Sequence, residues 1–115
     1  MICVSIGAKT VREFLSAVEA SKPYAELFEL RADLLEEFEG LDRLSELRDS
    51  LVVTVRRRSD GGAFAGPEDR RLRLLAKLSA ELRPLCVDLE IDAGGTEVIR
   101  TLRRLGVGLI ASHHD

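Results

Sequence analysis

The sequence is short of aromatic residues, with four phenylalanines, one tyrosine and no tryptophan among 115 residues. Platforms for stacking bases are therefore scarce. The 17 basic and 20 acidic side chains give a net charge of −3 and gather into no basic tail, so nucleic acid is not an expected partner. Long apolar runs are missing too. No window approaches the roughly 18 consecutive apolar residues of a membrane span. The start MICVSIGAKT lacks the basic and apolar regions of a signal peptide. The expectation is a cytoplasmic protein without membrane contact. Only two cysteines occur, Cys3 and Cys86, each inside a short strand-like apolar run, and the expected role is a reduced thiol filling the core rather than a disulfide.

What is present is a regular alternation. With 45% hydrophobic residues and a mean hydropathy near zero, the chain has the balance of one globular domain over residues 1–115. Runs of strand length cover residues 2–6, 27–31, 51–56, 86–91 and 108–112. Segments with apolar residues three and four apart lie between them, over residues 10–21, 35–49, 67–82 and 96–105. Thr10 can cap the first helix, Pro67 sits where a missing N–H costs nothing, and Gly106 follows the fourth helix. Strands joined by helical crossovers run parallel, so the class is α/β with a parallel sheet.

Periodicity alone allows an open doubly wound sheet or part of a (β/α)8 barrel. Interior strands of an open sheet are packed on both faces and read as continuous apolar runs, whereas barrel strands can aim polar side chains inward near their C-terminal ends. Here such pairs recur. With period two, Glu29 and Arg31 share a face, as do Thr54 and Arg56, Asp88 and Glu90, and Ser112 and His114, with Ser5 on the first strand. Any strand end near water can turn polar, but that does not explain why Leu30, Val53, Val55, Leu89 and Ala111 all fall on the other face. A barrel mouth does, and the expectation is about five βα units of a TIM barrel, a partial barrel.

Both histidines of the chain lie in the tail Ala111-Ser112-His113-His114-Asp115. A metal site is disfavoured, since consecutive strand residues point to opposite faces and no other His or Cys completes a set. A frayed, exposed terminus is the bland alternative. The sharper one makes His114 a general acid and base, because imidazole titrates near neutrality and can take and return a proton in one turnover. Glu29, Asp60, Asp88 or Glu90 could orient it, and Arg31 and Arg56 could fork an anionic substrate. The segment Arg56 to Gly66 holds three glycines and fits either a mobile lid or a solvated linker. In it, period two turns Arg56 toward the site and Arg57 away.

Four ordered signatures resemble type I 3-dehydroquinate dehydratase across nearly the whole chain. They are Glu29-Leu30-Arg31-Ala32-Asp33-Leu34, Thr54-Val55-Arg56 with Asp60-Gly61-Gly62, Val87-Asp88-Leu89-Glu90, and Ser112-His113-His114-Asp115. The resemblance implies a barrel lyase of the shikimate pathway that needs no cofactor or metal. A lysine forms a Schiff base with the C3 ketone of 3-dehydroquinate, and a histidine moves the protons of a syn elimination. By motif position His114 is that histidine and Asp60 the acid that steadies it, although the family carries Glu there and Asp is one methylene shorter. Ser5, Glu29, Arg31 and Arg56 match substrate-holding positions.

The family's lysine lies on the strand after the histidine strand, beyond Asp115. Lys9, Lys22 and Lys77, the lysines of this sequence, match no such position. The chain is thus expected to be a fragment, inactive alone, that forms a homo-oligomer or associates with a missing C-terminal half. Two other classes stay open: a non-catalytic binder of small carboxylates or phosphates, and a half-barrel competent only with a partner chain.

Overall fold

The computed structural model describes residues 1–90 and 95–112. Five strands, β1 (Cys3–Ile6), β2 (Leu27–Arg31), β3 (Leu51–Thr54), β4 (Cys86–Glu90) and β5 (Gly108–Ser112), form one sheet in the order β1-β2-β3-β4-β5, and every pair is parallel. That order decides between the two architectures. A doubly wound sheet reverses its direction of growth at a switch point, whereas each strand here pairs with the next in the chain, as in a barrel wall. The fold is α/β with a partial barrel.

Among the described residues three α-helices, α1 (Val11–Ser21), α2 (Glu68–Leu82) and α3 (Thr96–Leu105), carry three of the four crossovers. Thr10 caps α1 by accepting from the Glu13 N–H at 3.1 Å, and Gly106, at φ 72°, closes α3 in the left-handed conformation. The core lies between the helices and one face of the sheet, around Phe14, Leu30, Leu44, Val53, Leu75 and Val87, all 1% exposed or less. Among the described residues no helix is long and apolar enough to cross a membrane.

Three expectations change. The helix expected over residues 35–49 is a run of 3-10 turns over Leu41–Ser50, entered through Gly40 at φ 81°. Leu41, Leu44 and Leu47 stand three apart, a spacing that stacks on one face at three residues per turn, and Leu44 is fully buried. β3 ends at Thr54 instead of Arg56, because the next two carbonyls leave the ladder: Val55 O accepts from Arg71 and Arg56 O from the Phe64 N–H. The cysteines do not fill the core. Cys3 is exposed and Cys86 half-buried, both as free thiols, because they share the face of Ser5 and Asp88 rather than the helix-covered one.

Candidate functional site

Register arranges the uncovered face of the sheet in rows. Ser5, Glu29, Val52, Cys86 and Gly108 are paired in succession across the five strands, and Arg31, Thr54, Asp88 and Ile110 form the next row. Glu90 and Ser112 begin a third. Partners in a parallel sheet project to the same side, so Ser5, Glu29, Arg31, Asp88 and Glu90 share one face and one rim, with Arg56 following Thr54 beyond the end of β3. The opposite face holds Leu30, Val53 and Leu89, all buried, as the alternation requires. Ala111 shares that side but is exposed, since β5 is less covered than its neighbours. His114 lies outside the described residues.

The side chains on this face are fixed by short contacts. Thr54 Oγ1 donates to Glu29 Oε2 at 2.5 Å, joining the first row to the second. Arg31 forks onto Asp33, Nε to Oδ1 at 3.0 Å and Nη2 to Oδ2 at 2.7 Å. Asp33 has no exposed side-chain surface, and it also accepts from the Ala63 N–H at 3.0 Å. Burial pushes its carboxyl up. The Arg31 fork and the N–H groups of Ala63 and Arg56 more than offset that, so its pKa falls below the ordinary value. Burial likewise pushes the Cys3 and Cys86 thiols up, reinforced at Cys3 by the charge of Glu29 and at Cys86 by Cys3, Asp88 and Glu29. This face of the sheet is acidic near its middle.

Three groups on the rim carry buried polar atoms with no hydrogen-bond partner among the described residues, Nε of Arg56, Oδ1 of Asp88 and Oε2 of Glu90. Such atoms are rare in a protein interior. Ser5 is exposed and reachable. Glu90 is only 5% exposed, and its Oε2 lies 2.8 Å from Nη1 of Arg71. Nη1 also bonds Val55 O at 2.7 Å. Glu90 Oε2 therefore gains charge contact without a directed hydrogen bond.

Asp60 stands apart from these rows. It ends a short 3-10 turn, Arg58–Asp60, and its Oδ2 accepts from Nε of Arg57 at 2.7 Å, while Nη1 of Arg57 reaches Glu68 Oε2 at 3.0 Å. Arg57 turns toward α2 through these contacts and draws Asp60 with it. The glycine loop is not a free lid either. Gly62 N–H bonds Arg57 O at 2.8 Å, and a Cβ on Gly62 would stand 2.2 Å from Arg56 O, so this glycine serves close backbone approach. Lys9 and Lys22 pair with Glu36 and Glu19 at the surface, and Lys77 is exposed on α2.

Sequence reasoning passed over two residues that organise this region. Asp33 belongs to the second-strand signature, yet its role appears only when the chain turns after Arg31 and buries it. Arg71 is fully buried, and a signal for it existed: it opens the stripe Arg71, Leu75, Leu78, Leu82 along the inner side of α2, where a charge is out of place unless paired.

The family model for type I 3-dehydroquinase matches residues 2–115. The 3-dehydroquinate dehydratase of Thermococcus gammatolerans is 37% identical over the whole chain, which covers 53% of that protein, and that of Methanopyrus kandleri is 34% identical over 86% of the chain and 48% of its own length. Among solved structures, a type I 3-dehydroquinate dehydratase from Clostridium difficile superposes with a TM-score of 0.81 at 25% identity, over 98% of this chain and 50% of that one. The enzyme from Enterococcus faecalis shares the fold at a TM-score of 0.78 and 22% identity, over 98% and 52%. The chain spans about half the length of the curated relatives it matches. It belongs to the type I 3-dehydroquinase family, whose members are hydro-lyases built on the TIM barrel.

Proposed function

We propose that this chain supplies the substrate-holding and proton-transfer half of a 3-dehydroquinate dehydratase. The observation that carries the reading is the register that sets Ser5, Glu29, Arg31, Thr54 and Asp88 on one uncovered face at one rim, in an acid, base and hydroxyl pattern suited to a polyhydroxylated carboxylate. Arg56, whose buried Nε has no hydrogen-bond partner among the described residues, fits the substrate carboxylate, and Glu29, held by Thr54, fits a ring hydroxyl. Arg31 is held by Asp33 and presents an ordered donor edge.

In this scheme a lysine amine from the other half of the barrel condenses with the C3 ketone, releasing water and leaving an imine that acidifies the C2 protons. His114 takes one C2 proton, the electron pair moves into the ring, and the same imidazole protonates the C1 hydroxyl as it departs. Hydrolysis of the imine returns the lysine and frees 3-dehydroshikimate. Asp60 steadies His114 once it leaves Arg57, while Asp88 and Glu90 set the charge of the rim. In this scheme the chain alone is silent, because none of its three lysines lies on this face.

The test is complementation. This chain mixed with a C-terminal half-barrel that carries the family lysine should dehydrate 3-dehydroquinate, read as the growing ultraviolet absorbance of the conjugated enone, and borohydride should trap the imine. With His114→Ala in this chain, elimination should fall by about a thousandfold or more while trapping persists. Elimination at the unaltered rate would refute the role of His114. Carboxylate binding to the mixture with no turnover would instead favour a non-catalytic binding module.

A further inference from the structure

We infer that Arg71 is a positioning residue that ties the loop bearing Asp60 to the ends of β3 and β4. Five charged side chains connect in sequence. Asp60 Oδ2 meets Arg57 Nε at 2.7 Å, Arg57 Nη1 meets Glu68 Oε2 at 3.0 Å, and Glu68 receives a fork from Arg71, Nε to Oε1 at 2.6 Å and Nη2 to Oε2 at 3.1 Å. Arg71 then donates to Val55 O at 2.7 Å and stands 2.8 Å from Glu90 Oε2. Its guanidinium therefore bridges the start of α2, the end of β3 and the end of β4.

Stability alone does not account for this residue. Position 71 heads the buried stripe of α2, where a leucine would pack well, and replacing a buried ion pair by apolar side chains of similar volume is commonly neutral or stabilising. The arginine gives something a leucine cannot, which is a fixed distance between three backbone elements. Glu68 answers to it: the Arg71 fork is the main reason its carboxyl lies below the ordinary range. Moving Asp60 toward the rim requires Arg57 to let go of it, and Arg57 is itself held by the Glu68 that Arg71 holds. Loop position and the end of β4 are thereby coupled through one buried side chain. In catalytic terms the inference rests on the dehydratase reading, because only there does Asp60 act on His114. Its structural part stands without that reading.

The experiment uses the full chain and measures amide hydrogen exchange. In Arg71→Lys, which keeps the charge but loses the fork, the amides of Gly62 and Phe64 should exchange about ten- to a hundredfold faster, with those of β1 and β2 unchanged. Glu68→Gln, at a side chain 37% exposed and easier to tolerate, should act in the same direction, and it carries the test if Arg71→Lys fails to fold. No change in the loop, or equal acceleration everywhere, would overturn the coupling. In the complemented enzyme, Arg71→Lys should lower kcat more than it changes KM and should add little to Asp60→Asn, although the two residues do not touch. Fully additive losses would also overturn it. If the unaltered mixture turns over no substrate, the dehydratase reading fails and the exchange data alone decide the coupling.

Discussion

The loop after β3 is anchored from two sides, and the two anchors are built differently. On the side of β2, a single buried carboxylate does the work: Asp33 takes the Arg31 fork and the Ala63 N–H at once. On the side of α2, the anchor is the chain of alternating charges from Asp60 to Glu90 centred on Arg71. The first anchor is compact and joins a substrate-face arginine to the loop backbone. The second is extended and passes through Glu68 and Arg57, whose side chains keep 37% and 22% exposure. Water screens the outer links of the second anchor more than the Arg31–Asp33 fork of the first, whose side chains are 13% and 0% exposed, so the β2 anchor should be stiff and the α2 anchor the one that gives.

Breaking the β2 anchor should have the largest effect. Asp33→Ala leaves Arg31, only 13% exposed, without its carboxylate and two loop N–H groups without their acceptor, and should cost about 3 kcal/mol in denaturant unfolding. The pH dependence follows from the same contacts. The folded Asp33 carboxyl titrates below its unfolded value, so its stabilisation is complete above about pH 4 and is lost as pH falls through the lower, folded value. Asp33→Asn should therefore flatten the acid side of the stability profile. A variant whose unfolding midpoint falls as steeply with acid as the unaltered protein would place that dependence elsewhere.

A smaller effect is expected at the hinge that both anchors share. Gly62→Ala places a methyl 2.2 Å from Arg56 O, a backbone atom that cannot yield without opening the loop. The cost is bounded by the stability of the loop itself, about 1–2 kcal/mol, and should appear as lost exchange protection at Phe64 with the sheet unaffected. Uniform loss of protection across β1 to β4 would show that the loop is integral to the core.

How much of this was legible in the sequence depends on which period governed each residue. Strand residues obey period two for as long as they stay extended, so the shared face of Ser5, Glu29, Arg31, Asp88 and Glu90 could be read directly, and β2, α3 and β5 match their expected limits. The same rule already placed Cys3 and Cys86 on the uncovered face, two residues before Ser5 and Asp88, although their apolar surroundings suggested core. Beyond the strand ends the rule stops. Asp33 and Asp60 lie in 3-10 turns, where neither period applies, and their partners are set by how the loop folds back. The segment over residues 41–50 has an apolar spacing of three, which suits both helix types, so only the glycine entry and local hydrogen bonds tell them apart.

The smallest effect should come from a neighbour of Arg71. Arg73 lies two residues along the same helix and pairs with Asp69 at 2.5 Å, a contact shorter than any at Arg71. Distance alone would rank this pair above the buried one. Environment reverses the ranking: the side chains of Arg73 and Asp69 are 75% and 66% exposed, so water already solvates both charges, salt screens their attraction, and holding two long side chains together costs rotamer entropy. Arg73→Gln should leave the unfolding midpoint and the exchange of the Gly62 amide unchanged within error, at low and at moderate salt. A measurable shift of either would mean that helix surface charge, not burial, sets the strength of the α2 anchor, and the contrast between the two arginines would fall.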